Sequence, residues 1–235
     1  MLEAILWDVD GTLAETERDG HLVAFNAAFE ELDIPWRWSE QRYGELLRVA
    51  GGFERLLFDM ESQPLAPGSL EERSALARRI HALKNQRYKE LFDECSASGL
   101  SMAIVTTTSH GNVDALLSAQ VGADWKARFA AVVCAEDAPV KKPDPQAYRL
   151  ALARLRLRAE QAVAIEDSAM GLAAATAAGI PVVITRSRYF PDDHVTGALA
   201  VGPSLGTRAG WSPALDARPG KVGLADIRRW HETRG

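Results

Sequence analysis

The sequence has few of the features that mark a disulfide scaffold, a nucleic-acid-binding protein or a membrane protein. Its 235 residues include two cysteines, Cys95 and Cys134, whose spacing fits neither a metal motif nor a disulfide framework. The net charge is −5 and no basic block occurs, so a nucleic-acid partner has no electrostatic basis. The longest apolar runs have the length of strands, which argues against a membrane span or a membrane partner.

Targeting signals and repeats are also missing. Met1 is followed almost at once by an apolar strand, without the charged region, apolar stretch and cleavage site of a signal peptide. No internal repeat or low-complexity tract is visible. Because 47% of the residues are hydrophobic, the chain can form one large domain or a core with a smaller accessory domain. We expect a cytoplasmic protein of a reducing compartment, with a monomer favoured.

Alternating strand and helix patterns predict an α/β fold with a Rossmann-like parallel sheet. Short apolar runs at 4–7, 102–105, 131–133, 162–165 and 182–184 are typical of buried strands. Helical patterns separate the later runs, which favours parallel strands wrapped by helices. The corresponding helices are expected at 111–120, 145–157 and 168–178, with a further short helix near 222–232.

An all-helical block interrupts this pattern between residues 15 and 94. Apolar residues there recur at helical spacing and no strand-like run occurs. We therefore predict an α/β core formed by residues 1–14 and 95–235, with residues 15–94 as an inserted helical cap. Its helices are expected at 18–33, at two places within 39–63 separated by Gly51 and Gly52, and from 69 to about 92.

Two aspartates follow the first predicted strand at its carboxyl end, where ligands bind in such sheets. An extended chain would point the carboxylates of Asp8 and Asp10 to the same side, where a divalent cation would offset their repulsion. Gly11 then permits a sharp turn. The alternative explanation is a strand that ends in an ordinary Asp-rich turn.

Three further strand ends carry hydroxyl groups, a lysine and two acids. Thr106 begins a run of hydroxyl residues that holds phosphoryl oxygens or merely caps a helix. Lys142 supplies positive charge or is an exposed loop residue. Glu166 and Asp167 complete a metal site or begin a helix. Since a carboxylate can attack phosphorus and a second one can transfer protons, the four strand ends together indicate phosphoryl transfer.

These residues resemble the four motifs of the haloacid dehalogenase superfamily of phosphohydrolases. The DxDGT motif matches residues 8–12, and the second-motif Thr or Ser matches Thr106. The third-motif Lys, commonly followed by Pro, matches Lys142, and the acidic pair of the fourth motif matches Glu166 and Asp167. The match covers residues 1–14 and about 95–202.

The resemblance implies a role for each matched residue. Asp8 would be the nucleophile and Asp10 the general acid and base. Mg²⁺ would be bound by Asp8, by the backbone carbonyl of Asp10 and by Asp167. Glu166 would orient the water shell of the metal or contact Lys142, while the hydroxyl of the second motif and the lysine would act on the phosphoryl oxygens.

The inserted block resembles the cap of the phosphoglucomutase-like branch, and the chain is similar to the CbbY-type phosphatases associated with the Calvin cycle. This resemblance implies a sugar-bisphosphate phosphatase, with xylulose 1,5-bisphosphate as the expected substrate. The alternatives are a sugar phosphomutase and a catalytically impaired phosphate-binding homologue. Implied substrate contacts, whose basic members could equally belong to an exposed helix face, are Glu17, His21, Tyr43, Arg48, Gly52, Arg55, Lys84, Arg87 and Thr107.

The chain departs from this family pattern at two places. Phe53 stands where relatives usually have a lysine, so we expect weaker discrimination between bisphosphate and monophosphate sugars. In addition, about a helix and its linker are missing between the helical block and the strand at 102–105. A parallel crossover needs roughly a dozen residues or more. We therefore expect either that the end of the last cap helix is recruited to the core or that one face of the sheet is partly uncovered.

Overall fold

The computed structural model describes residues 1–13, 21–46, 48–49, 52–186 and 194–233. Contacts divide the chain into two units: the α/β unit, Met1–Ala14 with Tyr88–Gly235, and the helical unit, Glu15–Arg87. In the described part of the chain, every helix is too short or too polar to cross a membrane. The helices are α1 (His21–Glu31), α2 (Glu40–Leu46), α3 (Gly52–Met60), α4 (Leu70–Ala97), α5 (His110–Gln120), α6 (Gln146–Leu155), α7 (Ala169–Ala177) and α8 (Leu224–Glu232).

A parallel six-stranded sheet forms the centre of the α/β unit, which confirms the predicted fold class. Its strands lie in the order β3-β2-β1-β4-β5-β6. Trp7, the last residue of β1, lies beside Ile104 of β2 and Ile165 of β4. The carboxyl ends of these three central strands therefore meet at one edge. The strands are β1 (Ala4–Trp7), β2 (Ser101–Val105), β3 (Ala131–Val133), β4 (Ala162–Glu166), β5 (Val182–Thr185) and β6 (Ala200–Gly202).

Alternating side chains of the strands form two apolar cores, one on each face of the sheet. Ile5 and Trp7 of β1 belong to a core that includes side chains of α4, α5 and α8. Leu6, between them, belongs to the opposite core with side chains of α6 and α7. Strands that are buried on both faces read as continuous apolar runs, which is why five of the six could be predicted.

Helix α4 extends to Ala97, five residues beyond its predicted end near 92. The division between the two units falls within it, after Arg87, rather than at the predicted residue 95. The physical reason is packing: Leu91, Phe92 and Cys95 are buried in the core beneath β1 and β2. The end of this helix thus covers a face of the sheet, which settles the alternative left open by the shortened segment.

Hydrogen bonds and aromatic contacts fix this end of α4 in the α/β unit. The Phe92 ring lies edge-on to Trp7 and to Phe129, with centroids 5.3 and 5.4 Å away. The Glu94 carboxylate accepts the backbone N–H of Leu224 at 3.0 Å, at the start of α8. A helix of 28 residues therefore supplies the layer that a separate core helix would otherwise provide.

The helical unit has its own aromatic core. Phe25, Phe29, Trp36, Trp38 and Tyr43 are buried and contact one another, with centroid distances of 4.8–6.4 Å. No strand occurs among the described residues of this unit, as predicted. The helical unit therefore holds its fold with apolar contacts separate from the sheet.

Candidate active site

A buried ion-pair network joins the ends of β1 and β4. The Lys142 ammonium lies 2.6 Å from Asp8 Oδ1 and 2.6 Å from Glu166 Oε1, and it donates to the Val105 carbonyl at 2.9 Å. Burial by itself would lower the pKa of Lys142, but the two carboxylates raise it above its usual value. The lysine is therefore a permanent cation that fixes one oxygen of Asp8.

Tyr148 of α6 is a member of this network that the sequence patterns did not reveal. Its buried hydroxyl donates to Glu166 Oε1, and the Lys142 ammonium lies 5.2 Å from its ring centroid. Burial and Glu166 raise the pKa of Tyr148 well above its usual value, so the phenol stays protonated and remains a donor. Tyr148 lies in the first turn of α6, six residues after Lys142, and this closeness in the sequence was the one signal available.

Glu166 accepts hydrogen bonds from Lys142 and Tyr148 at Oε1 and from the backbone N–H of Asp167 at Oε2, the last at 3.4 Å. Burial and the nearby Asp8 charge raise the pKa of Glu166 above that of an exposed carboxyl, and the Lys142 ammonium opposes this rise. The other oxygen, Oε2, lies against Gly171 in the first turn of α7, where an added Cβ would be 1.8 Å away. Of the two implied roles of Glu166, the observed contacts favour the one against Lys142.

Asp167 is packed equally closely against the turn after β1. It is 4% exposed, and a Cβ added to Gly11 would lie 1.9 Å from its Oδ2. Gly11 also has a φ of +93°, a conformation that other residues rarely adopt. Two requirements, close approach and backbone conformation, therefore select glycine in the DxDGT motif.

The expected extended geometry of the two aspartates is wrong. The chain leaves the strand conformation after Trp7, and Val9–Leu13 forms a π-helical turn. Strand alternation therefore does not apply to Asp10, whose side chain lies outside what the structure describes. Its assignment as acid and base stays a prediction.

The loop after β2 brings hydroxyl groups to the same sheet edge. Thr106 is 1% exposed, and its Oγ1 accepts the backbone N–H of Thr108 at 3.2 Å. Thr107 is half-buried in this loop. Ser109 caps α5 by accepting the N–H of Asn112, so the run of hydroxyl residues does cap a helix, and Thr106 is held beside the cap.

The composition of this cluster fits a divalent cation. Ligand oxygens of Asp8, Glu166 and Asp167 all lie within 4.8 Å of one another, and all three residues are buried. Three carboxylates and one ammonium leave two uncompensated negative charges in the ionised cluster. Asp8 Oδ2 is buried and has no hydrogen-bond partner among the described residues. A hard cation would satisfy this oxygen and balance the charge.

Two implied substrate contacts in the helical unit are engaged in its interior. Arg55 is 6% exposed and donates to the Val49 carbonyl at 2.8 Å and to the Tyr43 hydroxyl at 3.1 Å. Tyr43 is fully buried among the aromatic rings. These contacts favour a structural role for both. Phe53, the departure from the family pattern, is half-buried and packs against the same core.

The other implied contacts are placed only in part. Arg48 is exposed, and Gly52 is the first residue of α3. Glu17 lies outside the described residues. His21 begins α1, and Lys84 and Arg87 lie within α4. The structure does not describe the side chains of these three candidates. Their contact with a substrate stays a prediction.

Comparisons with known proteins show which proteins this chain is similar to. A model of the haloacid dehalogenase-like hydrolases matches residues 2–179. The plasmid-encoded CbbY protein of Cupriavidus necator is 43% identical over 251 residues, covering 98% of this chain and 97% of that protein. The aligned length exceeds the 235 residues of this chain, so the relative contains residues that this chain lacks.

Solved structures of a related protein show the same fold. A mutant CbbY from Rhodobacter sphaeroides in complex with xylulose 1,5-bisphosphate is 35% identical, with a TM-score of 0.56 over 89% of this chain and 99% of that one. CbbY from the same organism in complex with phosphate is 36% identical, with a TM-score of 0.52 over 84% and 92%. The chain therefore belongs to the haloacid dehalogenase-like hydrolases and, among them, to the CbbY-type phosphatases.

Proposed function

We propose that the chain is a Mg²⁺-dependent phosphatase of phosphorylated sugars that works through an aspartyl-phosphate on Asp8. The observation that carries this proposal is the buried cluster at the ends of β1 and β4. There one carboxylate oxygen of Asp8 is held 2.6 Å from Lys142, and the other has no hydrogen-bond partner among the described residues. A carboxylate fixed in this way is prepared for nucleophilic attack.

Each group has a defined part in the proposed reaction. A carboxylate oxygen of Asp8 attacks phosphorus, and the bond between phosphorus and the sugar oxygen breaks. Asp10 gives a proton to the leaving oxygen and then takes one from the water that hydrolyses the aspartyl-phosphate. Lys142 and Thr106 stabilise the phosphoryl oxygens by charge and hydrogen bonding. The products are the sugar with a free hydroxyl group at that position and inorganic phosphate.

The metal site follows from the same residues. Asp8 and Asp167 would hold Mg²⁺ with the carbonyl of Asp10, and Glu166 would support them through Lys142. When bound, the ion offsets the repulsion between the carboxylates and the anionic phosphoryl group. Lys142 alone cannot do so, because its single positive charge is already shared between Asp8 and Glu166 at 2.6 Å.

For the substrate we propose a sugar bisphosphate such as xylulose 1,5-bisphosphate. The support is the likeness to the Rhodobacter sphaeroides CbbY, whose structure contains that compound, at 35% identity over 89% of this chain. Phe53 argues for a broader substrate range, since an apolar side chain takes the place of a cation that would favour a second phosphate. Monophosphate sugars are therefore expected to be substrates as well, with weaker discrimination against them than in relatives that have the lysine.

The test is a panel of sugar monophosphates and bisphosphates incubated with the protein and Mg²⁺, with released phosphate as the readout. Asp8→Asn serves as the blank. Asp124→Asn, which makes the same change at an exposed position, is its matched control. Phosphate release that depends on Asp8 supports the proposal. Isomerised sugar phosphate without net phosphate would assign a mutase instead, and binding without turnover would assign a phosphate-binding protein.

A further inference from the structure

The turn at residues 134–137, which follows β3, is tied to the loop at residues 106–109. The Ala135 N–H donates to the Thr108 carbonyl at 2.9 Å, and the Thr106 N–H donates to the Val133 carbonyl at 3.0 Å. The Glu136 carboxylate accepts the backbone N–H of the first α5 residue at 3.2 Å. The position of the 106–109 loop therefore depends on the 134–137 turn.

Asp137 is the centre of this connection. Its Oδ2 accepts the Cys134 N–H at 2.9 Å and lies 2.7 Å from His110 Nε2, while its Oδ1 accepts Arg154 of α6 at 2.6 Å. Burial opposes ionisation of Asp137, but hydrogen bonds from Arg154, Cys134 and His110 lower its pKa below the usual value. One carboxylate thus joins the end of β3, the start of α5 and α6.

The same side chains have the composition of a metal site, but their surroundings oppose one. Ligand atoms of His110, Cys134 and Asp137 lie within 4.8 Å of one another. However, the Arg154 guanidinium already compensates the carboxylate at 2.6 Å and would repel a cation. Burial and the neighbouring acids raise the pKa of the Cys134 thiol to about 12, whereas a metal requires the thiolate. The cluster is therefore best understood as a hydrogen-bonded anchor.

We propose that Asp137 is a positioning residue for phosphate binding. It holds His110 and the 134–137 turn, and through them it holds the 106–109 loop in the conformation that presents Thr106 to a phosphoryl group. Asp137 does not contact the carboxylate cluster itself; its effect passes through the backbone contacts at Thr108 and Val133. The inference rests on the proposed function, since it assigns phosphate binding to this loop.

The experiment measures inorganic phosphate binding and sugar-phosphate turnover by the full-length chain in the presence of Mg²⁺. The variant is Asp137→Asn, and its matched control is Asp114→Asn. Asp114 is itself a residue of α5 and pairs with Lys126 at 2.8 Å, but its partners are Trp125 and Lys126 and do not belong to the 106–109 loop. Melting temperatures of both variants show how much of any effect reflects stability.

The proposal predicts that Asp137→Asn weakens phosphate binding and lowers kcat/KM about tenfold, as expected for lost hydrogen bonds to a charged group. For Asp114→Asn, phosphate affinity and kcat/KM should stay within about twofold of the parent values, because exposed ion pairs contribute little. His110→Ala should weaken phosphate binding in the same direction, and His110→Gln, which keeps a donor, should recover most of the loss.

An unchanged phosphate affinity in folded Asp137→Asn would overturn the proposal, as would equal losses in Asp137→Asn and Asp114→Asn that follow the melting temperatures. Failure of the proposed function has a different signature: the parent chain would release no phosphate from any sugar phosphate, whether or not it binds inorganic phosphate. Because the titration uses inorganic phosphate, an error in the sugar substrate alone leaves this test intact.

Discussion

At the residue scale, a small number of hydrogen-bond donors orient the carboxylates of the candidate site. Lys142 contacts both Asp8 and Glu166 at 2.6 Å, so a shift in any one of them moves the others. Tyr148 restrains this set from the side of α6. Coupled ionic groups in a buried site are sensitive to the loss of a single hydrogen bond.

Tyr148→Phe should lower kcat/KM by about tenfold while leaving the fold intact. The substitution keeps the ring that packs against Lys142. It removes only the hydroxyl that donates a hydrogen bond to Glu166, and a hydrogen bond to a charged group is worth about 1.5–3 kcal/mol. Steady-state kinetics and the Mg²⁺ concentration for half-maximal rate would measure the effect. Kinetics identical to those of the parent would show that the Tyr148 hydroxyl does not support Glu166.

Gly171→Ala should impair activity although alanine favours helices. The added Cβ would lie 1.8 Å from Glu166 Oε2, so the carboxylate must move. A displacement of about 1 Å in a catalytic site can cost about 10²-fold in rate. Gly44→Ala in α2 is the matched control, because no atom lies within 4 Å of its added Cβ. Equal kcat/KM values in the two variants would contradict the assigned packing.

At the element scale, α4 replaces a missing core helix, since its last two turns contribute Leu91, Phe92 and Cys95 to the sheet core. The sequence predicted the helix and the missing segment but left open how the sheet is covered. The packing in the structure shows how the sheet is covered. The sequence does not, because an apolar residue near a helix end gives no indication of which surface it contacts.

Phe92→Ala should destabilise the chain by about 3–5 kcal/mol, the usual cost of a large cavity in a packed core. Phe92 is 1% exposed between two aromatic rings. Phe58→Ala in α3 makes the same change at a side chain that is 50% exposed, and it should cost much less. Denaturant unfolding would compare the two. Similar losses in both variants would contradict the recruitment of α4.

The sequence predicted the elements whose signal is local. Five strands were recognisable as continuous apolar runs. Asp8, Thr106 and Asp167 follow three of them directly, whereas Lys142 lies nine residues beyond the end of β3. β6 was missed because it ends at Gly202, a residue type that is rare in strands, where an added Cβ would lie 2.2 Å from the Trp211 ring. Gly202 and Trp211 come together only when the sheet has folded, so the sequence does not show this contact.

Site residues were predictable where a motif names them and not where long-range packing places them. Asp8, Lys142, Glu166 and Asp167 meet as the motif order predicts, because parallel strands bring their carboxyl ends together. The helical pattern alone does not distinguish Tyr148 from a core residue. Likewise, the charge of a basic residue such as Arg55 does not show that it is buried.

At the scale of the whole molecule, charge connects the site to its cofactor. The chain has a net charge of −5, and the buried cluster adds three carboxylates against one ammonium at the point where an anionic substrate would bind. A divalent cation bound at this cluster would offset that negative charge and favour the approach of phosphate. Removal of divalent ions tests this effect without altering the protein.

Excess chelator should abolish phosphate release, and added Mg²⁺ should restore it. Asp167→Asn should need more Mg²⁺ for half-maximal rate than the parent, because one ligand charge is lost. The readout is phosphate release across a Mg²⁺ titration, with unfolding monitored in parallel. Full turnover in excess chelator would contradict the metal assignment.

The central claim is covalent phosphoryl transfer to Asp8, and the most direct measurement is to trap that intermediate. Asp10→Asn would be incubated with Mg²⁺ and a sugar phosphate or another phosphate ester with a good leaving group, quenched in acid, and digested for mass spectrometry. The account predicts a phosphoryl group on Asp8, formed because attack still occurs while hydrolysis is slowed, and absent when Asp8→Asn is combined with this change. A phosphoryl group on another residue, or turnover by Asp8→Asn at the parent rate, would contradict it.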